Sequence, residues 1–452
     1  EQFLGKTFRG ELGQFFTPRT VVDFMVEILD PQEGELICDP CCGSGGFLIK
    51  AFEYVRNKIE IDIQDTKESI KKEHYTEDYL ALSSKQKSDI DQKVNLYFTA
   101  LNSELDPQNF SSRIRKLSFD CIYGTDANPR MARTSKMNMI MHGDGHGGVH
   151  HHDGLLNVNG IFEERFDVVL TNPPFGSRIE KSLKITEADV FRDSVAISKY
   201  KERYGKRYEV AQKQVQNNIN KSILGLYETG KLSNLTEIVF IERCLNLLKP
   251  GGRMATVLPE GVLNNMNLQK ARDYFESKAR ILLITSLPRD VFIASGATVK
   301  PSILFLKKFT LDEKERWEEI RENAKAQVNT KYEAEVQEME AEIKQLKANK
   351  EKDSVKMLTR KLKQLKQQIE QEVRSIIKQE FNYLIAISEV KEAGISTTGA
   401  PCNNELPELV EAFTRYRKEN ELWEEDSETI HYLIENGQLI KSSTDSVEVL
   451  YE

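Results

Sequence analysis

The sequence contains no apolar run approaching the roughly 18 residues that a membrane-spanning helix needs, and it carries no secretory signal. Its six cysteines lack the regular spacing of a disulfide framework. Reduced thiols in a cytoplasmic protein with no membrane partner are therefore expected. The 452-residue chain begins with Glu rather than Met, as expected of a processed or truncated product.

Positive charge is also in deficit, because 63 lysines and arginines face 71 acidic residues and the net charge is −8. This balance argues against a protein that coats nucleic acid indiscriminately, since phosphate binding depends on a local excess of basic residues. The polar segment 176–236 differs, with twelve basic and seven acidic side chains. It is either a local basic surface or a solvated helical insert.

The first glycine-rich turn follows a short apolar strand that ends at Asp39, and it comprises Gly43, Ser44, Gly45 and Gly46. It lacks the Gly-Lys-Ser/Thr ending of a phosphate-binding P-loop, and Leu48 stands where a dinucleotide fingerprint needs its third glycine. Asp39 would repel a phosphate but would accept a hydrogen bond from an ammonium group. The turn therefore predicts a ligand that carries an amino acid moiety.

A buried strand is predicted at 166–171, where apolar and β-branched residues precede Asn172, Pro173, Pro174 and Phe175. Neither proline can donate to a sheet ladder and each fixes its own φ, so the strand should end in a rigid turn. Ligands bind beyond the carboxyl ends of strands in open α/β sheets. A side-chain amide, a proline carbonyl and an aromatic face suit a flat ring that bears an amine.

The first predicted helix opens on a hydroxyl and a proline, within the stretch Gln14, Phe15, Phe16, Thr17, Pro18 and Arg19. The free N–H groups and the positive dipole end of a helix N-terminus favour a carboxylate or phosphate there. A helix cap is the simpler interpretation of this stretch taken alone.

Two further acidic residues follow predicted strands or loops. Asp126 ends a strand at 121–126, where a carboxylate usually binds ribose hydroxyls, although a helix-capping role is the alternative. Five of the seven histidines lie just before Asp153, but their spacing matches no common zinc pattern, so no metal site is predicted. Asp153 could instead accept a hydrogen bond from an exocyclic adenine amine.

Strands alternate with helices from 13 to 308, which predicts one doubly wound α/β domain with a charged helical insertion at 56–119. The last strands, at 281–287 and 302–306, are expected to form a hairpin edge. From 310 to 385, apolar residues at 4-3-4-3 spacing predict two antiparallel helices, a helical hairpin or coiled coil. Residues 386–452 are expected to form a helical tail, with short helices at 406–416 and 428–434.

Five motifs occur in a fixed order: Gln-Phe-Phe-Thr-Pro, Asp-Pro-x-x-Gly-Ser-Gly-Gly-Phe, Gly-Thr-Asp, Asp-Gly-Leu and Asn-Pro-Pro-Phe. This series resembles DNA adenine-N6 methyltransferases, and specifically the modification (M) subunit of type I restriction-modification systems. The resemblance covers residues 11–308. It implies a Rossmann-like catalytic domain at 1–309 and S-adenosyl-L-methionine as the cofactor.

The resemblance also implies a role for each motif. Residues 14–19, with Thr17 foremost, would line the methionine end of the cofactor, and Asp39 with the glycine turn would surround its amino acid portion. Asp126 would bind the ribose and Asp153 the adenine. A target adenine would be flipped into the site. There, Asn172 and the Pro173 carbonyl would accept hydrogen bonds from its amine, and Phe175 would stack on the base.

The partners implied by the resemblance are double-stranded DNA, a separate specificity subunit, a second copy of this chain and a restriction subunit. A self-sufficient enzyme with this motif order would place a target-recognition domain after the catalytic half, where this chain has a helical hairpin suited to docking. Stand-alone methylation of RNA or of a protein glutamine amide is the alternative within enzymes. A catalytically silent assembly scaffold is the alternative outside them.

Overall fold

A computed structural model describes residues 16–144, 148–295, 299–349, 351–423, 430–443 and 447–451. Gln14 and Phe15, two of the predicted cofactor-binding residues, lie outside the described residues. The helices are α1 (Arg19–Leu29), α2 (Gly46–His74), α3 (Ser84–Ser103), α4 (Arg113–Lys116), α5 (Pro129–Met141), α6 (Ser194–Tyr204), α7 (Lys206–Gln216), α8 (Thr236–Leu247), α9 (Gly261–Asn264), α10 (Gln269–Glu276), α11 (Leu311–Ala348), α12 (Lys352–Glu380) and α13 (Leu406–Glu419).

The main sheet has eight strands: β1 (Ile37–Asp39), β2 (Ile122–Asp126), β3 (Gly148–His151), β4 (Phe166–Thr171), β5 (Leu248–Pro259), β6 (Ala279–Ser286), β7 (Pro301–Lys308) and β8 (Ala386–Glu389). Their order across the sheet is β3-β2-β1-β4-β5-β7-β6-β8. The first five strands run parallel, and β7 runs antiparallel to β5 and β6. Because β2, β1 and β4 are parallel neighbours, their carboxyl ends lie at one edge of the sheet.

Two hydrophobic layers cover the faces of this sheet. Val168 and Leu170 of β4 pack with α1 and α2 on one face, whereas Val169 packs with α8 on the other. This alternation follows from the two-residue repeat of a strand, and burial of each aliphatic side chain is worth about 1.5–3 kcal/mol. The predicted α/β fold class is confirmed.

The hairpin edge predicted for the last two strands is only partly correct. Strands β6 and β7 do pair antiparallel, but β8 adds to β6 in parallel and forms the edge instead. The insertion predicted at 56–119 is helical, and its first part continues α2 from the glycine turn to His74. One glycine turn therefore starts a helix of 29 residues.

The C-terminal tail is mixed rather than helical. Besides β8 and α13 it contains β9 (Ala393–Ile395), β10 (Pro401–Asn404), β11 (His431–Glu435), β12 (Gln438–Ser442) and β13 (Val447–Tyr451). The helix predicted at 428–434 is wrong, because β11 pairs with β12 across Asn436 and Gly437. Both turn residues have positive φ, at 50° and 83°, which is the geometry that Asn-Gly favours in a two-residue hairpin.

Contacts divide the described chain into two compact units. One contains the residues up to Lys308 together with those from Ala386 onward, and the other is Phe309–Ile385. Buried ion pairs join the tail to the rest of the first unit: Arg417 lies 2.9 Å from Asp30, and Lys441 lies 2.7 Å from Glu104. The separate domain limits 1–309, 310–385 and 386–452 stay a prediction.

The second unit is a helical hairpin, as the heptad spacing predicts. Lys331 of α11 pairs with Glu372 of α12, and Glu340 pairs with Lys366, so the two helices run antiparallel. Phe309, Trp317 and Phe381 form an aromatic cluster at its base.

No helix in the described part of the chain is both long and apolar enough to cross a membrane. Within the same residues, no group of three or more His, Cys, Asp or Glu side chains could hold a metal ion.

Candidate functional site

The carboxyl ends of β1 and β4 form the centre of the site. Asp39, the last residue of β1, is 1% exposed and accepts hydrogen bonds from the Cys41 N–H at 3.0 Å and the Thr171 hydroxyl at 2.8 Å. Burial raises the pKa of Asp39 to about 7, although these two hydrogen bonds act in the opposite direction. The carboxyl therefore titrates near neutral pH, and its ionised form can accept a hydrogen bond from an ammonium group.

The glycine turn after β1 is open at one glycine and tightly packed at another. Gly43 has φ +52°, and a Cβ placed on it would meet no atom within 4 Å. Gly45 has φ +89° and caps α2, and its Cβ would lie only 2.5 Å from the Ser135 hydroxyl. Both positions need glycine for their backbone conformation, and Gly43 also leaves space for a ligand.

Asn172 follows β4 directly, and its side-chain amide is fixed by one hydrogen bond. Its Nδ2 donates to the Thr17 hydroxyl at 2.9 Å. Its Oδ1 is buried and has no hydrogen-bond partner among the described residues. A buried acceptor without a donor is costly, so a ligand N–H is the natural partner for this oxygen.

Thr17 was expected either to bind an anion or to cap a helix. The structure shows that Pro18 occupies the N-cap of α1, with no side-chain hydrogen bond there. The Thr17 hydroxyl binds Asn172 instead, 155 residues away in sequence. Two of the five sequence motifs therefore meet at one hydrogen bond.

Asp126 joins the end of β2 to the glycine turn. Its carboxylate accepts from the Gly43 N–H at 3.0 Å and from the Asn128 N–H at 2.7 Å. It does not cap α5, whose N-cap is Asn128. Burial raises the pKa of Asp126 above its ordinary value. These contacts place its carboxylate beside the turn that was predicted to bind the same ligand.

Asp153 lies in the loop after β3, where its carboxylate accepts from the Leu155 N–H at 2.9 Å. Burial raises the pKa of this carboxyl as well. The neighbouring histidines bind separately: the Nε2 atoms of His151 and His152 lie 3.1 Å from the Ala127 carbonyl and 3.0 Å from the Asp189 carbonyl.

A cavity of about 650 Å³ brings many of the predicted residues together. The predicted residues that line it are Phe16, Thr17, Arg19, Asp39, Gly43, Ser44, Gly46 and Asn172. Its lining does not include Pro18, Gly45, Asp126, Asp153, Pro173, Pro174 or Phe175. Phe175 packs edge to face on Phe292, with ring centroids 5.9 Å apart.

Several cavity residues were missed in the sequence, among them Asp23, Lys50, Glu53, Asn138 and His142. Lys50 pairs with Asp23 at 3.1 Å, and His142 Nδ1 lies 2.7 Å from Glu53. A signal for most of them existed. Lys50 and Glu53 fall four and seven residues after Gly46, and Asp23 falls four after Arg19, so each extends a predicted turn along the same helix face.

The chain is similar to a known protein family and to several curated proteins. The model of the N-6 DNA Methylase family matches residues 1–81, 108–205 and 200–395. The methylase subunit of the type I restriction enzyme EcoEI from Escherichia coli is 26% identical over 301 residues, which are 66% of this chain and 43% of that protein. The StySPI methylase subunit from Salmonella potsdam is 27% identical over 305 residues, 66% of this chain and 41% of that protein.

Among solved structures, the EcoKI M protein superposes with a TM-score of 0.41 at 21% identity, covering 67% of this chain and 45% of that one. A modification subunit of a putative type I restriction enzyme from Vibrio vulnificus YJ016 gives a TM-score of 0.40 at 23% identity, with coverages of 66% and 45%. The chain spans less than half of the length of these curated relatives. Since the family model matches most of its residues, the chain belongs to the N-6 DNA methylase family.

Proposed function

We propose that this protein is an S-adenosyl-L-methionine-dependent DNA adenine-N6 methyltransferase. It would act as the modification subunit of a type I restriction-modification complex, in which a separate specificity subunit selects the DNA sequence. The observation that carries the proposal is the Asn172 amide, whose buried oxygen is a free acceptor beside the cavity that Asp39 and the glycine turn also line.

The free amide oxygen suits an amine that must become nucleophilic. The lone pair of an exocyclic adenine amine is delocalised into the ring, which makes the nitrogen a poor nucleophile. An acceptor on its N–H bond draws that nitrogen toward a pyramidal geometry. The orientation of the Asn172 amide is fixed because its Nδ2 donates to the Thr17 hydroxyl. Its Oδ1 is therefore left to accept from the amine. Fixed placement of this kind is where most of the rate gain should arise.

The cavity residues fit S-adenosyl-L-methionine. Asp39 supplies a carboxylate for its ammonium group, and Gly43 leaves open space at the turn. When bound, this cofactor supplies a methyl group already activated by a positive sulfur. The protein then needs only to bind, orient and exclude water.

A basic strip beside the acceptor loop supports a nucleic acid as the substrate. Arg178, Lys181 and Lys184 follow the Asn-Pro-Pro-Phe motif and are all exposed. The same strip buries Ile179 and Ile185 in a hydrophobic cluster with Phe240 of α8. The apolar side chains anchor the strip, so its basic side chains are held at the surface where phosphates flanking a flipped base would pass. This observation favours the basic-surface interpretation of segment 176–236.

The relatives are subunits of larger enzymes, which supports a partner for this chain. A specificity subunit would dock on the helical hairpin Phe309–Ile385, whose outer helix faces are charged and exposed. A second copy of this chain and a restriction subunit complete the proposed assembly.

The two alternative functions differ in how they would use the Asn172 amide oxygen. Methylation of RNA or of a protein glutamine amide would use the same acceptor oxygen, because both substrates carry planar amines. A catalytically silent scaffold would leave that oxygen unused. The basic strip favours a nucleic acid over a glutamine amide or a silent scaffold, and the match to the N-6 DNA Methylase family favours DNA over RNA.

Transfer of tritiated methyl groups from labelled S-adenosyl-L-methionine tests the proposal. The full chain, alone and with its specificity subunit, is incubated with duplex DNA, RNA and a glutamine peptide, and products are identified by mass spectrometry. We expect N6-methyladenine in DNA only when both subunits are present. Methylated RNA or glutamine, efficient sequence-specific transfer by the chain alone, or cofactor binding without transfer to any substrate would each overturn it.

A further inference from the structure

Helix α8 carries three buried charged side chains within twelve residues. Glu237 and Glu242 are each 3% exposed, and Arg243 is 1% exposed. Burying a charge costs free energy unless hydrogen bonds compensate it, so each of these residues must satisfy specific partners. Two of them bind loops at the proposed site, and the third does not.

Arg243 holds the loop that follows Asp153. Its Nε donates to the Gly154 carbonyl at 2.9 Å, its Nη2 to the Leu156 carbonyl at 2.9 Å, and its Nη1 to the Asn157 side chain at 2.7 Å. The rigid guanidinium fork thus serves three acceptors in four consecutive residues.

The same loop is pressed against the start of the glycine turn. A Cβ on Gly154 would lie 1.9 Å from the Pro40 carbonyl oxygen, so only glycine fits there. Pro40 follows Asp39 directly. The loop is therefore held between Arg243 and the turn after β1, with Asp153 at its beginning.

Glu237 holds the other loop, at the end of the Asn-Pro-Pro-Phe motif. Its Oε1 accepts from the Gly176 N–H at 3.3 Å. The preceding residue of α8, Thr236, donates both its N–H and its hydroxyl to the Ser177 carbonyl, at 3.0 and 3.1 Å. The first turn of α8 therefore fixes the chain immediately after Phe175.

Six residues separate Glu237 from Arg243, which is about 9 Å along a helix axis. Because a helix is stiff over that distance, it keeps the two loops at a constant separation. Each loop nevertheless has its own anchor.

We propose that α8 positions two loops of the site independently. Glu237 fixes the methyl-acceptor loop, residues 172–177, and Arg243 fixes the loop 153–157, which would bind the cofactor adenine. Both are positioning residues, since neither lines the cavity. The assignment of ligands to the loops rests on the proposed function, but the anchoring of each loop does not.

The direct test is amide hydrogen–deuterium exchange on the ligand-free protein. Arg243→Met should speed amide exchange at least tenfold in residues 153–157 and leave the amides of Asn172 and of residues 175–177 unchanged; Pro173 and Pro174 carry no amide hydrogen. Glu237→Ala should do the reverse. Glu237→Gln keeps an acceptor for the Gly176 N–H and should retain slow exchange, and Arg243→Lys should fall between Met and the wild type.

Glu242→Gln is the matched control. Glu242 is as buried as Glu237, but it accepts from Thr229 and Tyr274 rather than from either site loop. It should lower thermal stability without faster exchange in either loop. If Arg243→Met and Glu237→Ala instead speed exchange everywhere, as general destabilisation would, the proposal is overturned.

Measurements of cofactor affinity and of the methyl-transfer rate then test which ligand each loop binds. Arg243→Met should weaken binding of S-adenosyl-L-methionine at least tenfold by calorimetry, with the single-turnover rate at saturating cofactor within threefold of wild type. Glu237→Ala should lower that rate at least tenfold and leave cofactor affinity within twofold. Equal losses of both quantities in either variant would contradict separate roles. A wild type that binds cofactor but transfers no methyl to duplex DNA in the presence of its specificity subunit refutes the proposed function, while the exchange data still decide on the anchors.

Discussion

The loops after β1 and β4 are neighbours, but they are built on opposite principles. The β1 loop has glycines with positive φ and a buried carboxylate, Asp39. The β4 loop has two prolines and a neutral amide, Asn172. One loop lets a ligand approach the backbone closely and offers it negative charge, whereas the other fixes a single uncharged acceptor.

This difference matters because burial acts differently on the two groups. It raises the pKa of Asp39 to about 7, so this carboxyl titrates near neutral pH. An amide does not ionise, so Asn172 accepts equally well across that range. The comparison teaches that pH should control the cofactor side of the site and leave the acceptor side unchanged.

Asn172→Ala should show the largest effect. Loss of the free acceptor should lower the rate of methyl transfer by about 10²–10³-fold, as loss of a single positioned polar group does in other active sites. Cofactor affinity, measured by calorimetry, should change less than threefold. Asn267→Ala, which alters an exposed asparagine, should keep the wild-type rate. Equal losses of rate and affinity would remove the distinction between the two loops.

Asp39→Asn should affect cofactor binding rather than the methyl acceptor. At pH 8 we expect cofactor affinity to fall at least about tenfold, the worth of one charge-assisted hydrogen bond. Wild-type affinity should itself decline as the pH falls below 7, because the carboxyl becomes protonated and loses its attraction for the ammonium group. The variant should show no such decline. A wild-type affinity that is constant from pH 6 to 8 would contradict this role.

The same substitution should stabilise the ligand-free fold. The pKa of Asp39 is raised from 3.8 to about 7, so the folded state holds a proton that the unfolded chain releases. Folding stability is therefore lost as the pH rises from 3.8 toward 7, and the full penalty applies above 7. At pH 8, Asp39→Asn should raise the free energy of unfolding by on the order of 2–4 kcal/mol, measured by urea denaturation. At pH 4 the gain should be small.

Gly45→Ala tests the packing of the glycine turn. Its φ of +89° and the 2.5 Å approach to the Ser135 hydroxyl predict a loss of about 1–3 kcal/mol in unfolding free energy. Gly46→Ala is the matched control, since its Cβ would meet only Val22 at 3.9 Å. Adding Ser135→Ala to Gly45→Ala should recover the part due to the clash. Equal stability of the two glycine variants would contradict the tight packing at Gly45.

Local patterns in the sequence were sufficient for the main strands, the glycine turn and the helical hairpin. Each depends on residues close in sequence: alternating apolar residues in β4, glycines at 43 and 45, and heptads in α11 and α12. The cavity brings Thr17, Asp39 and Asn172 together because all three lie near one edge of a parallel sheet, which the motif order already indicated.

The features that sequence reasoning missed depend on contacts between distant residues. Strand β8 pairs with β6 over a separation of about a hundred residues, and nothing local marks it as an edge strand. The anchors Glu237 and Arg243 resemble ordinary surface charges of an amphipathic helix until the loops they bind are in place. The hairpin at Asn436-Gly437 was different, because its local signal was present and was misread as a helix.

Thr17→Val provides the smallest and most discriminating change. Valine keeps the shape of threonine but removes the hydroxyl that accepts from Asn172 Nδ2. The amide is then free to rotate, and the transfer rate should fall about fivefold, in line with one hydrogen bond of roughly 1 kcal/mol. Thr17→Ser keeps the hydroxyl and should retain most of the rate. If Thr17→Val weakens cofactor binding and leaves the rate at saturating cofactor unchanged, Thr17 belongs to the cofactor side, as the family resemblance implies. If only the rate falls, the Thr17 hydroxyl acts by holding the neutral Asn172 amide. Thr17 then contributes to methyl transfer, whereas Asp39 contributes to cofactor binding.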